Sequence, residues 1–301
     1  MKTADPVLAE NPLVMRTQGW ADYAMVDSGG GRKLERYGPY RVVRPEPQCL
    51  WAPRLDEAAW ANADATFDPS GDEDEGRWRF NGKPKETWPL AWRGVTFNGR
   101  FTAFRHLAFF PEQAANWAWL DETLRAGPGG ARVLNLFGYT GVASLVCAAA
   151  GAAVTHVDAS KKAIGWAREN AELSGLADRP VRWICEDARR YVQREARRGS
   201  QYEGIILDPP KYGRGPGGEV WRLFEDLPEL LDLVVRLLSP NARFLILNGY
   251  AERISGLSLG ALVAQAMAGR GGRVDWGELA LMEEGSQRGV GLSFFARWSA
   301  S

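Results

Sequence analysis

Histidine and cysteine are scarce: two and three, respectively, in 301 residues. His106 and His156 are too few to build a His-based metal cage or a catalytic dyad. Cys49, Cys147 and Cys185 are odd in number, far apart and without C-x-x-C spacing, which argues against a zinc site and for a reducing compartment. The first residues, Met1-Lys2-Thr3-Ala4-Asp5-Pro6, lack the apolar core of a signal peptide, and no apolar run approaches the about 18–20 residues that span a bilayer. A cytoplasmic protein without a membrane partner or a metal is the expectation. Net charge is also missing: 37 basic residues balance 37 acidic ones, which argues against holding nucleic acid by bulk charge.

The charge is nevertheless unevenly spread. Arg32, Lys33, Arg36, Arg41, Arg44 and Arg54 form one basic tract; Arg189, Arg190, Arg194, Arg197, Arg198, Lys211 and Arg214 form another. Each reads either as solvated surface or as a local phosphate-tracking surface. The segment 64–76, with Asp68, Asp72, Glu73, Asp74 and Glu75, reads as a polar surface loop. The length suits one large domain with a smaller appendage.

From about residue 130 apolar runs and amphipathic stretches alternate over short connections. Strands are expected at 132–137, 153–158, 181–186, 202–208, 242–248, 273–283 and 290–298, with helices at 141–150, 160–174, 188–198, 219–238 and 256–269. This predicts an α/β protein with a seven-stranded, Rossmann-like class I methyltransferase sheet. The last two strands should pair antiparallel. Residues 1–104, rich in tryptophan, glycine and short alternating stretches such as Tyr40-Arg41-Val42-Val43-Arg44, read as a small β-rich N-terminal domain, and 105–301 as the catalytic domain.

Three features carry chemistry together. The strand Val133-Leu134-Asn135-Leu136 runs into Phe137-Gly138-Tyr139-Thr140-Gly141 and a small-residue helix, a turn on which a nucleotide-like ligand can lie against backbone. The next strand ends in Asp158, placed to accept from both ribose hydroxyls. A later strand emerges into Asp208-Pro209-Pro210. The combination points to S-adenosylmethionine (SAM). The missing middle glycine discriminates against a nicotinamide-dependent oxidoreductase.

Methyl transfer from a sulfonium asks a protein to bind the donor, aim it and hold the acceptor in line. Gly138 and Gly141, with Phe137 and Thr140, would let the methionine part approach the backbone, and Asn135 would anchor its polar groups. Asp158, with Ala159, would hold the ribose, unless Asp158 simply caps the helix at 160–174. Asp187 would accept from the adenine amino group or cap its own helix. Asp208 and the Pro209 carbonyl can jointly accept from an exocyclic amino group, turning its lone pair toward the methyl carbon, with Pro210 and Tyr212 completing the catalytic set. Lys211 and Arg214 would hold phosphate, and the glycine-rich run 213–218 would close over substrate.

Taken with Val157-Asp158-Ala159-Ser160, Trp166-Ala167-Arg168-Glu169-Asn170, Leu173-Ser174-Gly175-Leu176 and Asp208-Pro209-Pro210-Lys211-Tyr212, the glycine-loop motif resembles the bacterial large-subunit ribosomal RNA methyltransferases over about residues 105–298. The resemblance implies SAM as cofactor and RNA, ribosomal above all, as partner. It adds Gln113 as a cofactor contact and makes the N-terminal part an RNA-contacting module. The strand that carries the attacking cysteine in the cytosine-C5 branch corresponds to Phe244-Leu245-Ile246-Leu247-Asn248-Gly249-Tyr250, which has none, so a nitrogen acceptor is favoured and Asn248 becomes a contact for a flipped base. Cys147 and Cys185 read as core. Cytosine-C5 methylation, DNA or protein substrates, and a non-catalytic SAM-binding RNA protein stand as alternatives. The sequence leaves the oligomeric state open.

Overall fold

The computed structural model describes residues 4–70, 72–215, 217–250 and 254–300, with nothing stated for the side chains of 72–75. Strands β1 (Val7–Leu8) and β2 (Leu13–Thr17) precede a β-rich run: β3 (Tyr23–Gly29), β4 (Arg32–Tyr37), β5 (Tyr40–Pro45), helix α1 (Glu57–Ala61), β6 (Ala65–Ser70), β7 (Asp72–Phe80), β8 (Thr87–Trp92) and β9 (Val95–Arg100). Helix α2 (Ala114–Ala126) opens the alternating part. It continues with β10 (Arg132–Leu136), α3 (Val142–Ala149), β11 (Ala153–Asp158), α4 (Lys161–Leu173), β12 (Val181–Cys185), α5 (Ala188–Arg198) and β13 (Gly204–Leu207). A short hairpin, β14 (Tyr212–Arg214) and β15 (Val220–Arg222), precedes α6 (Leu223–Val235), β16 (Phe244–Gly249), α7 (Gly256–Ala266), β17 (Arg273–Met282) and β18 (Gly289–Ser299).

The main sheet runs β1-β17-β18-β16-β13-β10-β11-β12, with β2 also on β17. From β12 to β17 this is the predicted seven-stranded arrangement. β10 lies parallel between β11 and β13, β13 is parallel to β16, and β18 is antiparallel to β16. The inner strands are covered by helices on both faces, which is why β13 and β16 are apolar almost throughout and buried at every position. The chain leaves β10 first toward β11 and later returns to β13 on its other side. Such a reversal opens a crevice at the carboxyl ends of the strands, where open α/β sheets bind ligands.

Helix starts follow from local chemistry. The Ser160 hydroxyl caps α4 by accepting from Ala163 N, and the Asp187 carboxylate caps α5 by accepting from Arg190 N. Gly199, with φ +69°, ends α5 behind Arg197 and Arg198.

Two compact units are interleaved in sequence: Met1–Met15, Asn116–Leu279 and Leu292–Ser301 form one; Arg16–Ala115 with Ala280–Gly291 form the other. The second holds the five-stranded sheet β3-β4-β5-β6-β7 and the hairpin β8-β9.

Three local expectations change. The predicted surface loop at 64–76 is largely paired strand: Phe67 and Trp78 meet edge to face with centroids 5.2 Å apart, and Asp68 pairs with Arg79 at 3.1 Å. Gly76 permits this pairing, because a Cβ there would lie 2.3 Å from the Asp68 carbonyl oxygen. Helix α6 begins at Leu223 rather than near 219, since residues 220–222 are strand. Finally, the first strands of the chain join the main sheet through β17 rather than the β-rich part.

Candidate active site

The loop after β10 is tightly wound. Phe137 and Tyr139 have φ of +58° and +48°, and Gly141 +82°, so three of five residues occupy the left-handed region. Two of them carry side chains, a cost of order 1–3 kcal/mol each that persists where surrounding structure enforces it. The two glycines are needed for packing inside the domain. A Cβ on Gly138 would sit 2.4 Å from Cε1 of His156, and one on Gly141 would sit 2.9 Å from the Ala167 Cβ. Behind the loop lies a buried polar chain: Asn135 Nδ2 donates to Ser144 Oγ at 2.9 Å, and Ser144 Oγ lies 3.0 Å from His156 Nδ1. Burial lowers the His156 pKa to about 3, against a weaker opposing backbone hydrogen bond, so the ring is neutral. The Thr140 carbonyl accepts from Asn170 Nδ2 at 2.9 Å.

Asp158 does not cap α4; Ser160 does. Its carboxylate ties the two loops together, Oδ2 accepting from Tyr139 N at 2.9 Å and Oδ1 from Ser160 N at 2.8 Å. Burial raises its pKa, with these two N–H bonds pulling the other way. Ala159 follows it, half-buried, at the mouth of the strand. Asp187 does cap its helix, and the neighbouring Glu186 accepts from Arg194 at 2.5 Å. Gln113 is buried on the turn Pro111–Gln113, which belongs to the β-rich unit.

Asp208 follows β13 at the sheet centre, its N–H 3.4 Å from the Leu136 carbonyl oxygen, so it stands beside the end of β10. The two prolines differ. The Pro210 carbonyl accepts from the indole of Trp221 at 2.7 Å, whereas the buried Pro209 has a carbonyl with no hydrogen bond among the described residues. Trp221 also packs on Phe137, ring centroids 5.1 Å apart, and so joins the loop after β10 to the Asp-Pro-Pro exit. Sequence reasoning missed Trp221 because three-residue strands carry no periodic signal.

The glycine-rich run 213–218, expected to be a mobile lid, is the bend of the β14–β15 hairpin; Pro216 lies outside the described residues. Its glycines wrap Glu219. A Cβ at Gly215 or Gly217 would lie 2.4 or 2.6 Å from that carboxylate, which accepts from Gly217 N and from Arg190 at 2.5 Å.

Asn248 is buried rather than open, and its Oδ1 accepts from Asn116 Nδ2 at 3.0 Å. Cys147 is core as expected, and Cys49 is buried as well, but Cys185, also expected in the core, is exposed where β12 ends. The basic tracts are mostly engaged with acids: Arg189 with Asp226, Arg190 with Glu219, Arg194 with Glu186, Arg198 with Glu195, Arg44 with Glu35 and Arg54 with Glu283. Lys211, Tyr212 and Arg214 are exposed in the segment just after Asp208-Pro209-Pro210. No group of three metal-ligating side chains occurs among the described residues, and none of their helices is long and apolar enough to cross a membrane.

A class I methyltransferase sheet with its loops gathered at the switch point defines the kind of protein. Known proteins agree. The chain superposes on a SAM-dependent methyltransferase from Agrobacterium tumefaciens with a TM-score of 0.95 and 51% identity, covering 100% of this chain and 97% of that one. The protein SMU.776 in complex with SAH, 19% identical, shares the fold with a TM-score of 0.67, over 89% of this chain and 72% of that one. A ribosomal RNA large subunit methyltransferase K/L from Shewanella frigidimarina is 37% identical over 121 residues, 40% of this chain and 17% of the relative, so the match spans about a sixth of that protein's length. Residues 68–248 match the S-adenosylmethionine-dependent methyltransferase family, and the chain belongs to that family. It is a SAM-dependent methyltransferase.

Proposed function

We propose that the chain methylates a base of structured RNA, ribosomal RNA foremost, at a nitrogen. The observation that carries the reading is the Asp208-Pro209-Pro210 exit. Trp221 occupies one proline carbonyl, and the other stays available beside a carboxylate at the sheet's switch point. An exocyclic or ring N–H can donate to both acceptors, which fixes the plane of the base and turns the nitrogen lone pair toward the donor. The ribosomal RNA relative supports the substrate class.

The residues fit the cofactor. Unlike α4 and α5, α3 begins at Gly141 without a side-chain cap, so its first N–H groups are open to a carboxylate. Gly138, Thr140 and Gly141 would hold the amino-acid part on backbone, with Asn135 and Phe137 shaping the loop beneath it. Asp158 and Ala159 would hold the ribose, and Asp187 the adenine edge. When bound, SAM supplies an electrophilic methyl group. No cysteine lies on β16, and Asn248 is turned inward to Asn116, so neither covalent activation of a pyrimidine nor a base contact by Asn248 is part of the proposal.

Mass mapping of ribosomal RNA from a deletion strain tests it. One methylated purine or cytosine should disappear, and return with the wild-type gene but not with Asp208→Ala. An unchanged methylation map would reject ribosomal RNA as substrate.

A further inference from the structure

We infer that the outward face of the β14–β15 hairpin is the surface that grips the unpaired RNA strand beside the target base. This rests on the RNA reading above and adds to it a defined arm with its own contacts. In the antiparallel register Tyr212 faces Arg222 and Arg214 faces Val220, while Gly213 faces Trp221. Opposed residues share a face. One face therefore carries Tyr212, Arg214, Val220 and Arg222; the other carries Trp221.

The two faces have opposite environments. Trp221 is 5% exposed and fixed from below by the Pro210 carbonyl and the Phe137 ring. Tyr212 is 52% exposed and Val220 38%, with Phe224 just beyond at 56%. The bend is held by Glu219, which is committed to Arg190 and to Gly217 N. The arm is thus braced against the very residues that lead out of Asp208.

The exposed set alternates rings and apolar surface with cations and contains no carboxylate. The Arg214 side chain has no hydrogen-bond or ion-pair partner among the described residues; only its backbone is paired, to Val220. Arg222 pairs with Glu225 at 3.2 Å, but both side chains are largely exposed, so the pair contributes little and exchanges readily. The nearby acids are otherwise engaged: Glu219 with Arg190, and Asp226 with Arg189. Aromatic surface interleaved with available arginine suits unpaired bases, which stack, and their phosphates, which pair with guanidinium. A duplex would offer the phosphates without the stacking face.

Fluorescence anisotropy tests this, using a labelled single-stranded RNA oligonucleotide of mixed sequence, the same RNA as a duplex, and enzyme saturated with S-adenosylhomocysteine. Tyr212→Ala should weaken single-strand binding by roughly tenfold, within the range for a lost base–aromatic stack, and Tyr212→Phe should restore it. Arg214→Ala should flatten the dependence of log affinity on log salt by about 0.7, one phosphate on a single strand. Arg179→Ala, an exposed arginine off the arm, should leave the slope alone. Calorimetry with S-adenosylhomocysteine confirms that each variant is folded. If the wild type binds the single strand while Tyr212→Ala and Arg214→Ala bind equally well, the arm is refuted and the RNA reading stands. If the wild type binds neither RNA, both fall together.

Discussion

Behind the loop after β10 and beside β16, two buried polar clusters of the parallel-sheet unit are neutral, Asn135, Ser144 and His156 in one chain of contacts, Asn116 and Asn248 in another, although the unit also buries Glu195 and Arg297. In the β-rich unit the main buried polar cluster is ionic. Glu35, fully buried, accepts from Arg44 through two bonds of 2.7 Å, from Tyr23 at 2.8 Å and from Tyr37 at 3.2 Å; Lys33 sits 3.4 Å from Glu46. Burial alone would raise the Glu35 carboxyl, but Arg44, Lys33 and the hydrogen bonds outweigh it and bring it to about 2. Neutral groups can stand next to the proposed cofactor loop without imposing a field on it. The ionic cluster instead specifies how β4 and β5 meet the surrounding rings, since each member loses its compensation if the packing changes.

The largest expected effect tests that cluster. Arg44→Ala leaves Glu35 buried with no guanidinium, and breaking a buried pair in this way costs about 3–5 kcal/mol. Hydrogen exchange should show lost protection in β3, β4 and β5, with β10 and β13 unaffected. Equal loss in both units would mean that they unfold as one and that the contrast is only local.

Next comes the chemistry. Asp208→Ala should lower kcat by ~10²-fold or more, about 2.7 kcal/mol in barrier, while SAM affinity changes much less because its proposed contacts come from other strand ends. Single-turnover measurements at saturating SAM separate the two. Normal turnover by the variant would remove Asp208 from the mechanism. Asp158→Ala should be somewhat milder, weakening SAM by ~1.5–3 kcal/mol, the scale of hydrogen bonds to a charged group. Since Asp158 also accepts from Tyr139 N, its melting temperature must be followed alongside calorimetry. Unchanged affinity in a folded variant would move the ribose elsewhere.

The same contrast explains what could be read from sequence. In the parallel sheet each strand and helix follows its neighbour in sequence, so apolar runs and caps such as Ser160 and Asp187 place the elements to within a few residues. The placement of Asp158 and Asp208 at strand ends beside the switch point was legible from the apolar runs that precede them. The inner packing was not. That Gly138 accommodates His156, or that Trp221 reaches Pro210, depends on side chains meeting across the fold. The same holds for the β-rich unit, where Ser28 bonds Glu283 across 255 residues and the strands at 65–70 and 72–80 hide in a polar, acidic segment.

The last test separates the two units by pH. His156 has a folded pKa of about 3 against 6.5 in the unfolded chain, so between these values the unfolded state binds the extra proton. Its contribution is fully present above pH 6.5 and is lost as pH falls toward 3, at up to about 1.36 kcal/mol per pH unit. Glu35, lowered from 4.5 to about 2, has the same sign but begins to lose its contribution only below 4.5. Between pH 6.5 and 4.5 mild acid should therefore weaken the parallel-sheet unit while the Glu35–Arg44 cluster still contributes in full. Urea denaturation followed at several pH values should show a shallower slope in His156→Gln than in the wild type over this window, and Asp158, whose raised pKa acts in the opposite direction, is common to both proteins. Because His156 stays neutral in the folded state throughout, its titration should leave S-adenosylhomocysteine affinity of the folded wild type unchanged over the same range. A slope identical in variant and wild type would show that His156 is not the neutral, buried group on which the Gly138 turn rests.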